Sequence, residues 1–212
     1  MSNNQLPEHR DSSLKNVSQF YIQIKKVVLL AENYDKSKSV VLTSINEIRN
    51  AAVHIFRAYI DSHEFDEHIE KAKGHLFRAG YDSYEVVAIE AISNIKESLY
   101  GYKPTVIQKI LPDYYTTIKP RIIEIERELS DVRSKKDVSP LVSQSSFDRY
   151  ENLIDELIGY DKQITKLVPS FSELQAEEEK HKIINNIKWI IPTIVAFISC
   201  SILIYKLLNK IP

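Results

Sequence analysis

A single cysteine, Cys200, and four glycines stand among the 212 residues of the chain. One cysteine excludes a disulfide or a cysteine-built metal site within one chain. So few glycines leave little material for the tight turns of strand-rich folds, and Glu, Lys, Ile and Leu dominate instead. The composition therefore indicates an all-α protein. An excess of either charge is also missing: 28 Lys and Arg against 29 Asp and Glu give a formal net charge of -1 and a pI near 6.6. That excludes the strongly basic stripe of tight, sequence-independent nucleic-acid binders. No glycine-rich phosphate loop, nucleophile elbow or pair of catalytic carboxylates is found, nor any internal repeat. The first ten residues, MSNNQLPEHR, are polar, and no apolar run follows that would serve as the core of a secretory signal.

What is present begins at the C-terminus. From Trp189 to Tyr205 (WIIPTIVAFISCSILIY) no side chain is charged. The run of about 17 residues is near the lower limit for crossing a bilayer core. Lys188 and Lys206 bracket it and can snorkel toward headgroups, and Trp189 and Tyr205 stand where amphipathic rings prefer the interface. Pro192 falls in its first turn, where a spanning helix tolerates it. A buried core helix rarely lacks a polar face over this length. The expectation is a single-pass C-terminal membrane anchor with the bulk of the chain cytoplasmic. Lys180, Lys182 and Lys188 on its N-terminal side agree with that orientation. Thr193, Ser199 and Ser201 are available for hydrogen bonds between membrane helices.

Ahead of the anchor, apolar residues recur at helical spacing. Val17, Phe20, Tyr21, Ile24, Val28 and Leu29 predict a helix over about Ser12–Glu32. Asn33–Ser39 reads as a turn with Ser39 a candidate N-cap. A second helix is expected over about Val40–Asp61 and a third over about Glu64–Tyr100, with Gly74 and Gly80 marking close packing or a bend and Gly101–Pro104 ending it. Pro112 and Pro120 interrupt the next stretch, Pro120 suiting the first turn of a helix over Arg121–Lys136. Lys136–Ser146 is the best loop. Phe147, Tyr150, Ile154, Leu157, Asp161, Ile164, Val168 and Phe171 then alternate three and four apart. This heptad-like seam is read first as packing on the domain, with Asp161 breaking it and Pro169 ending it. Ser170 and Glu173 resemble a capping box, from which a last helix runs into the anchor.

The second helix is the most informative. At about 100° per residue, Val41, Ile45, Ile48, Ala52, Ile55, Phe56 and Tyr59 share one face, expected to be the core face. Glu47, Asn50, His54 and Arg57 share the opposite one, and Arg49 lies at the edge. A polar stripe of this kind is most often a solvated face. His63, His68 and His75 are not one turn apart, so no metal site is expected on the third helix. Arg78 and Asp82 suit a surface ion pair, or a place at the rim of a cleft.

Glu47–His54 reads EIRNAAVH, with Arg49-Asn50, three further residues and His54. This resembles the R-polar-x-x-x-H motif of the HEPN superfamily of small α-helical domains, and AKGHLFRAGYDSYE, Ala72–Glu85, is similar to the second long helix of bacterial HEPN-like proteins. The resemblance covers roughly Ser12–Lys136. It implies a HEPN-like helical bundle and, in catalytic members, a metal-independent endoribonuclease in which two copies of the motif form one composite site. His54 would be the general base or acid at the ribose 2′-hydroxyl, Arg49 would stabilise the phosphate, and Asn50 would orient them, with Glu47 and Arg57 supporting. The chemistry needs no cofactor and no metal. Histidine titrates near neutral pH and a guanidinium binds two phosphate oxygens at once. Arg49 and His54 diverge by about 140° on one helix, so a second copy would have to complete the site.

The expected organisation is a disordered N-terminus over 1–11, the HEPN-like domain over 12–136, a helical extension and juxtamembrane stalk over 137–186, the transmembrane helix over 187–208 and a short tail over 209–212. The expected partners are the chain itself as a dimer or higher oligomer, the bilayer, and RNA. The resemblance implies a role in prokaryotic antiviral defence or toxin action. The alternative is a non-enzymatic membrane effector that oligomerises through its helical domain and forms a pore or disrupts the bilayer, in the manner of HEPN-like membrane accessories of RNA-targeting CRISPR systems.

Overall fold

The computed structural model describes residues 8–36, 41–61, 63–136 and 144–208. Ser39 as a cap, the centre of the loop after Lys136, the first seven residues and the tail from 209 lie outside them. The described residues form helices and no strands: α1 Glu8–Tyr34, α2 Leu42–Ile60, α3 Phe65–Leu99, α4 Pro104–Ile110, a π-helical turn Tyr114–Ile118, α5 Lys119–Lys136 and α6 Gln144–Leu208. Gly101, at φ 84°, takes the left-handed conformation just beyond α3, where a residue without Cβ is favoured. Pro104 opens α4 at its first helical position, where its missing N–H costs nothing.

Two compact units are present, one of residues 1–100 and 113–166 and the other of 101–112 and 167–212. In the first, α3 packs on α2 and α1, and the first part of α6 docks on the same core. Val17 and Ile24 of α1, Leu76 and Val87 of α3, Ile125 of α5 and Phe147, Ile154, Leu157 and Ile164 of α6 are fully enclosed. The three-four spacing in α6 is thus domain packing. An aromatic cluster sits at its start: the Phe147 ring is 5.8 Å from Phe20, 5.7 Å from Phe77, 5.4 Å from Tyr81 and 5.6 Å from Tyr84. Gly80 makes room for it, because a Cβ there would lie 2.6 Å from Phe147 Cε2 and 2.9 Å from Ile24 Cδ1. Gly74 has no such constraint; its nearest neighbour is the end of Arg78 at 3.6 Å.

Asp161, out of pattern in an apolar seam, is buried but engaged. It accepts from Thr165 at 3.3 Å and from the Tyr34 hydroxyl, which burial and the adjacent carboxylate push up to about 12. A buried carboxylate is tolerated only with such partners. Arg121 ties α5 to α6 through a two-pronged bond to Glu156 at 2.9 and 2.7 Å and also reaches Glu124 and Glu128.

The second unit corrects one expectation. Pro169 does not end the seam, and Ser170 does not start a helix: α6 runs without a break from Gln144 to Leu208 and contains both Pro169 and Pro192. An internal proline removes one backbone bond and costs about 3 kcal/mol. Burial of Ile164 before it and Phe171 after it outweighs that local cost. Residues 101–112 clasp this helix. Tyr102 stacks near Phe171 at 5.5 Å and shares a 2.5 Å hydrogen bond with Ser172, and Lys109 pairs with Glu178 at 2.6 Å. Further on, α6 is long and apolar enough to cross a membrane. Its hydroxyls donate to their own helix: Thr193 to the Trp189 carbonyl, Ser199 to Val195 and Ser201 to Phe197, at 2.8 to 2.9 Å. That satisfies them in lipid without a neighbouring helix.

Candidate functional site

α2 and α3 form an antiparallel hairpin turning at Asp61, whose carboxylate accepts the backbone N–H of His63 at 2.9 Å. The hairpin is rolled differently from the expected arrangement. The buried positions of α2 are Ser44, Ala51 and Ala58, seven apart, where small side chains let the helices approach closely. Val41, just before the helix, is buried as expected, but Ile45, Phe56 and Tyr59 face outward, Phe56 at 68% exposure and Tyr59 at 69%. The predicted core face is therefore rotated by about 90° from the buried one: Ile48, Ala52 and Ile55 remain partly buried at its edge. Glu47 and His54, expected on the face away from the core, are half-buried against α3.

There they meet residues that the motif does not contain. His54 Nδ1 lies 3.1 Å from Nδ1 of His68, so one nitrogen donates and the other accepts. The His54 ring also stacks on His75, with centroids 5.3 Å apart and planes at 17°. His75 Nδ1 is 2.7 Å from Glu47 Oε2 and 2.8 Å from Arg78 Nη2, so it sits between a carboxylate and a guanidinium. Arg78 donates to the same Glu47 oxygen from Nε at 2.9 Å. Glu64 Oε2 lies 3.4 Å from His68 Nε2. Glu47 thus orients His75, and the Nδ1 partner of His54 is His68. Arg78 bonds across to α2 and lies at the rim of this groove.

Electrostatics separates the members. Burial pushes the Glu47 carboxyl up, but the hydrogen bonds from His75 and Arg78 outweigh it and hold it below the usual carboxylate range. Burial lowers His54, and the positive charge of His75, His68, Lys71 and Arg57 lowers it further. A base depressed in this way stays unprotonated, ready to accept, at neutral pH. Arg49 is on the outward side of α2 among the exposed apolar residues. Neither it nor half-buried Asn50 is hydrogen-bonded among the described residues. One copy therefore brings Glu47, His54, His68, His75 and Arg78 together and leaves Arg49 apart. Among the described residues, no three His, Cys, Asp or Glu side chains are grouped to hold a metal ion.

His68 and His75 were legible in principle. His54 and His68 lie seven residues before and after Asp61, and Glu47 and His75 fourteen before and after. A hairpin closed at Asp61 must place each pair opposite.

A pH dependence follows. The folded chain resists protonating His54, and the unfolded chain does not. Between the lowered folded value and about 6.5 the unfolded state binds more protons. Stability is thus fully present above that window and falls as pH drops through it. Groups around His54 are Glu47 and Arg57 on α2, Glu64 just before α3, and His68, Lys71, His75 and Arg78 on α3. Urea unfolding at pH 7.5 and 5.5 is expected to show lower stability at 5.5, with a smaller difference in His54→Gln. An unchanged difference would assign it to other groups.

Comparison with protein-family models, with curated proteins and with solved structures gave no match to this chain.

Proposed function

We propose that the chain is a membrane-tethered endoribonuclease of HEPN-like type, working on RNA as a pair of copies joined through α2, with its helical domain on the cytoplasmic side. The observation that carries this is the split of the motif. Arg49 lies within an exposed apolar face, with Leu42, Ile45, Val53, Phe56 and Ile60 around it, and His54 lies in the α2–α3 groove. An apolar face of this extent favours a partner. A second copy laid along it would bury that face and bring Arg49 of one chain beside His54 of the other.

The chemistry follows from the groups. Neutral His54 takes the proton of a ribose 2′-hydroxyl, and that oxygen attacks the adjacent phosphorus. The 5′-oxygen leaves with a proton returned by an imidazolium, which gives a 2′,3′-cyclic phosphate and a 5′-hydroxyl. Arg49 of the second chain holds the charge that builds on the phosphate oxygens. His68 keeps His54 in place and His75 supports its face, so both act as positioning residues.

The pore-forming alternative has less support, because Thr193, Ser199 and Ser201 are satisfied within their own helix. To test the proposal, the detergent-solubilised full chain is incubated with RNA and a chelator. Cleavage to cyclic-phosphate ends is expected, reduced about 10²- to 10⁴-fold by His54→Ala. Cleavage that survives this substitution removes the assignment.

A further inference from the structure

The membrane-proximal part of α6 carries an isoleucine seam. From Ile184, isoleucine recurs at Ile187, Ile191, Ile194 and Ile198, alternating three and four residues apart. All five are exposed, at 48 to 57%, on one uninterrupted helix. Written as a heptad, Ile184, Ile191 and Ile198 take the a positions and Ile187 and Ile194 the d positions. Apart from Lys188, at e on the flank of the seam, the side chains least suited to such a contact fall elsewhere. Asn185 and Pro192 are at b, Asn186 and Thr193 at c, and Lys182 and Trp189 at f, on the far side of the helix.

We propose that three copies of the chain assemble in parallel through this seam. A 3.5-residue period suits helices that wind around one another, and a second copy carries the matching stripe at the same height. Parallel order follows from a shared anchor. The residue type selects the number. Isoleucine at a with leucine at d favours two strands, and isoleucine at both positions shifts the preference to three or more. Ile183 and Ile190, at g, widen the apolar face beside the seam.

The seam also crosses the point where the anchor begins. Ile184 and Ile187 precede Lys188, in the segment before the uncharged run, where covering apolar surface drives association. Ile191, Ile194 and Ile198 lie within the run, where lipid removes that driving force and close packing takes its place. The first part thus sets the register that the second continues. This contact is independent of the α2 pairing, so either can fail without the other.

The test uses the full-length chain in lipid nanodiscs, with Phe56→Glu present to remove the α2 contact and Cys200→Ser to remove the native thiol. Mass measurement is expected to give three chains, and Ile187→Leu with Ile194→Leu is expected to move it toward two. Single cysteines at the seam, Ile187→Cys or Ile194→Cys, are expected to cross-link on oxidation several-fold faster than Asn186→Cys or Thr193→Cys. A mass of one chain, a mass that the leucine pair leaves unchanged, or equal cross-linking on and off the seam would overturn the proposal.

Discussion

Phe147→Ala is expected to lower the unfolding free energy by about 3–5 kcal/mol. The ring is fully enclosed, touches aromatic side chains of both α1 and α3, and rests on Gly80 at a distance no Cβ would permit. The loss has two parts: the apolar surface no longer buried, and the cavity left between helices that cannot collapse onto it. Because domains of this size are stable by only about 5–15 kcal/mol, the substitution removes a large share of the total. Thermal unfolding followed by circular dichroism should move down by roughly 6–20 °C. Phe147→Leu keeps most of the volume and should cost less. A midpoint unmoved by Phe147→Ala would mean that the first part of α6 is not docked on α1 and α3.

That prediction rests on a part of the fold that was legible. The three-four spacing from Phe147 to Phe171 read as packing, because long runs of apolar residues at helical period have few other uses. Gly101 as the end of α3 was legible for a local reason: the chain needs a residue without Cβ there. The failures are equally physical. The expected core face of α2 is rotated by about 90° from the observed one, because the most apolar face is taken as the core face, whereas the fully buried positions are Ser44, Ala51 and Ala58. Small side chains contribute little to a hydrophobic pattern yet permit the closest approach. Glu47 and His54 then become the polar lining of that approach, and Leu42, Ile45, Val53, Phe56, Tyr59 and Ile60 are left outside. Pro169 misled for the opposite reason. Its local preference is strong, and only tertiary burial on either side of it overrides that preference. Of the candidate site, His54 belongs to the motif and Glu47 stands one turn before Asn50, while His68 and His75 require the pairing across the Asp61 turn.

Chains carrying Arg49→Ala and His54→Ala are each expected to lose RNA cleavage alone and to recover it in part when mixed. The argument is geometric. On one helix the two residues diverge by about 140°, and His54 is held in the α2–α3 groove by His68 and His75, so it cannot swing around to Arg49. A site built from Arg49 of one copy and His54 of the other leaves one intact site in each mixed pair. The second site in that pair carries both substitutions. With random pairing half of the pairs are mixed, so activity should return to roughly a quarter of wild type, by the two-fold symmetry of such an interface. Phe56→Glu in both chains places a charge in the centre of the apolar face that joins them. It should weaken association by at least about 2 kcal/mol, roughly thirty-fold, and abolish the recovery while each folded domain survives, because Phe56 is exposed in the single chain. Cleavage by either variant alone would show that the missing residue is not required. Two inactive, folded variants that fail to rescue one another would place Arg49 and His54 in the same copy's site, which the spacing on α2 does not allow, and so would remove the composite site altogether.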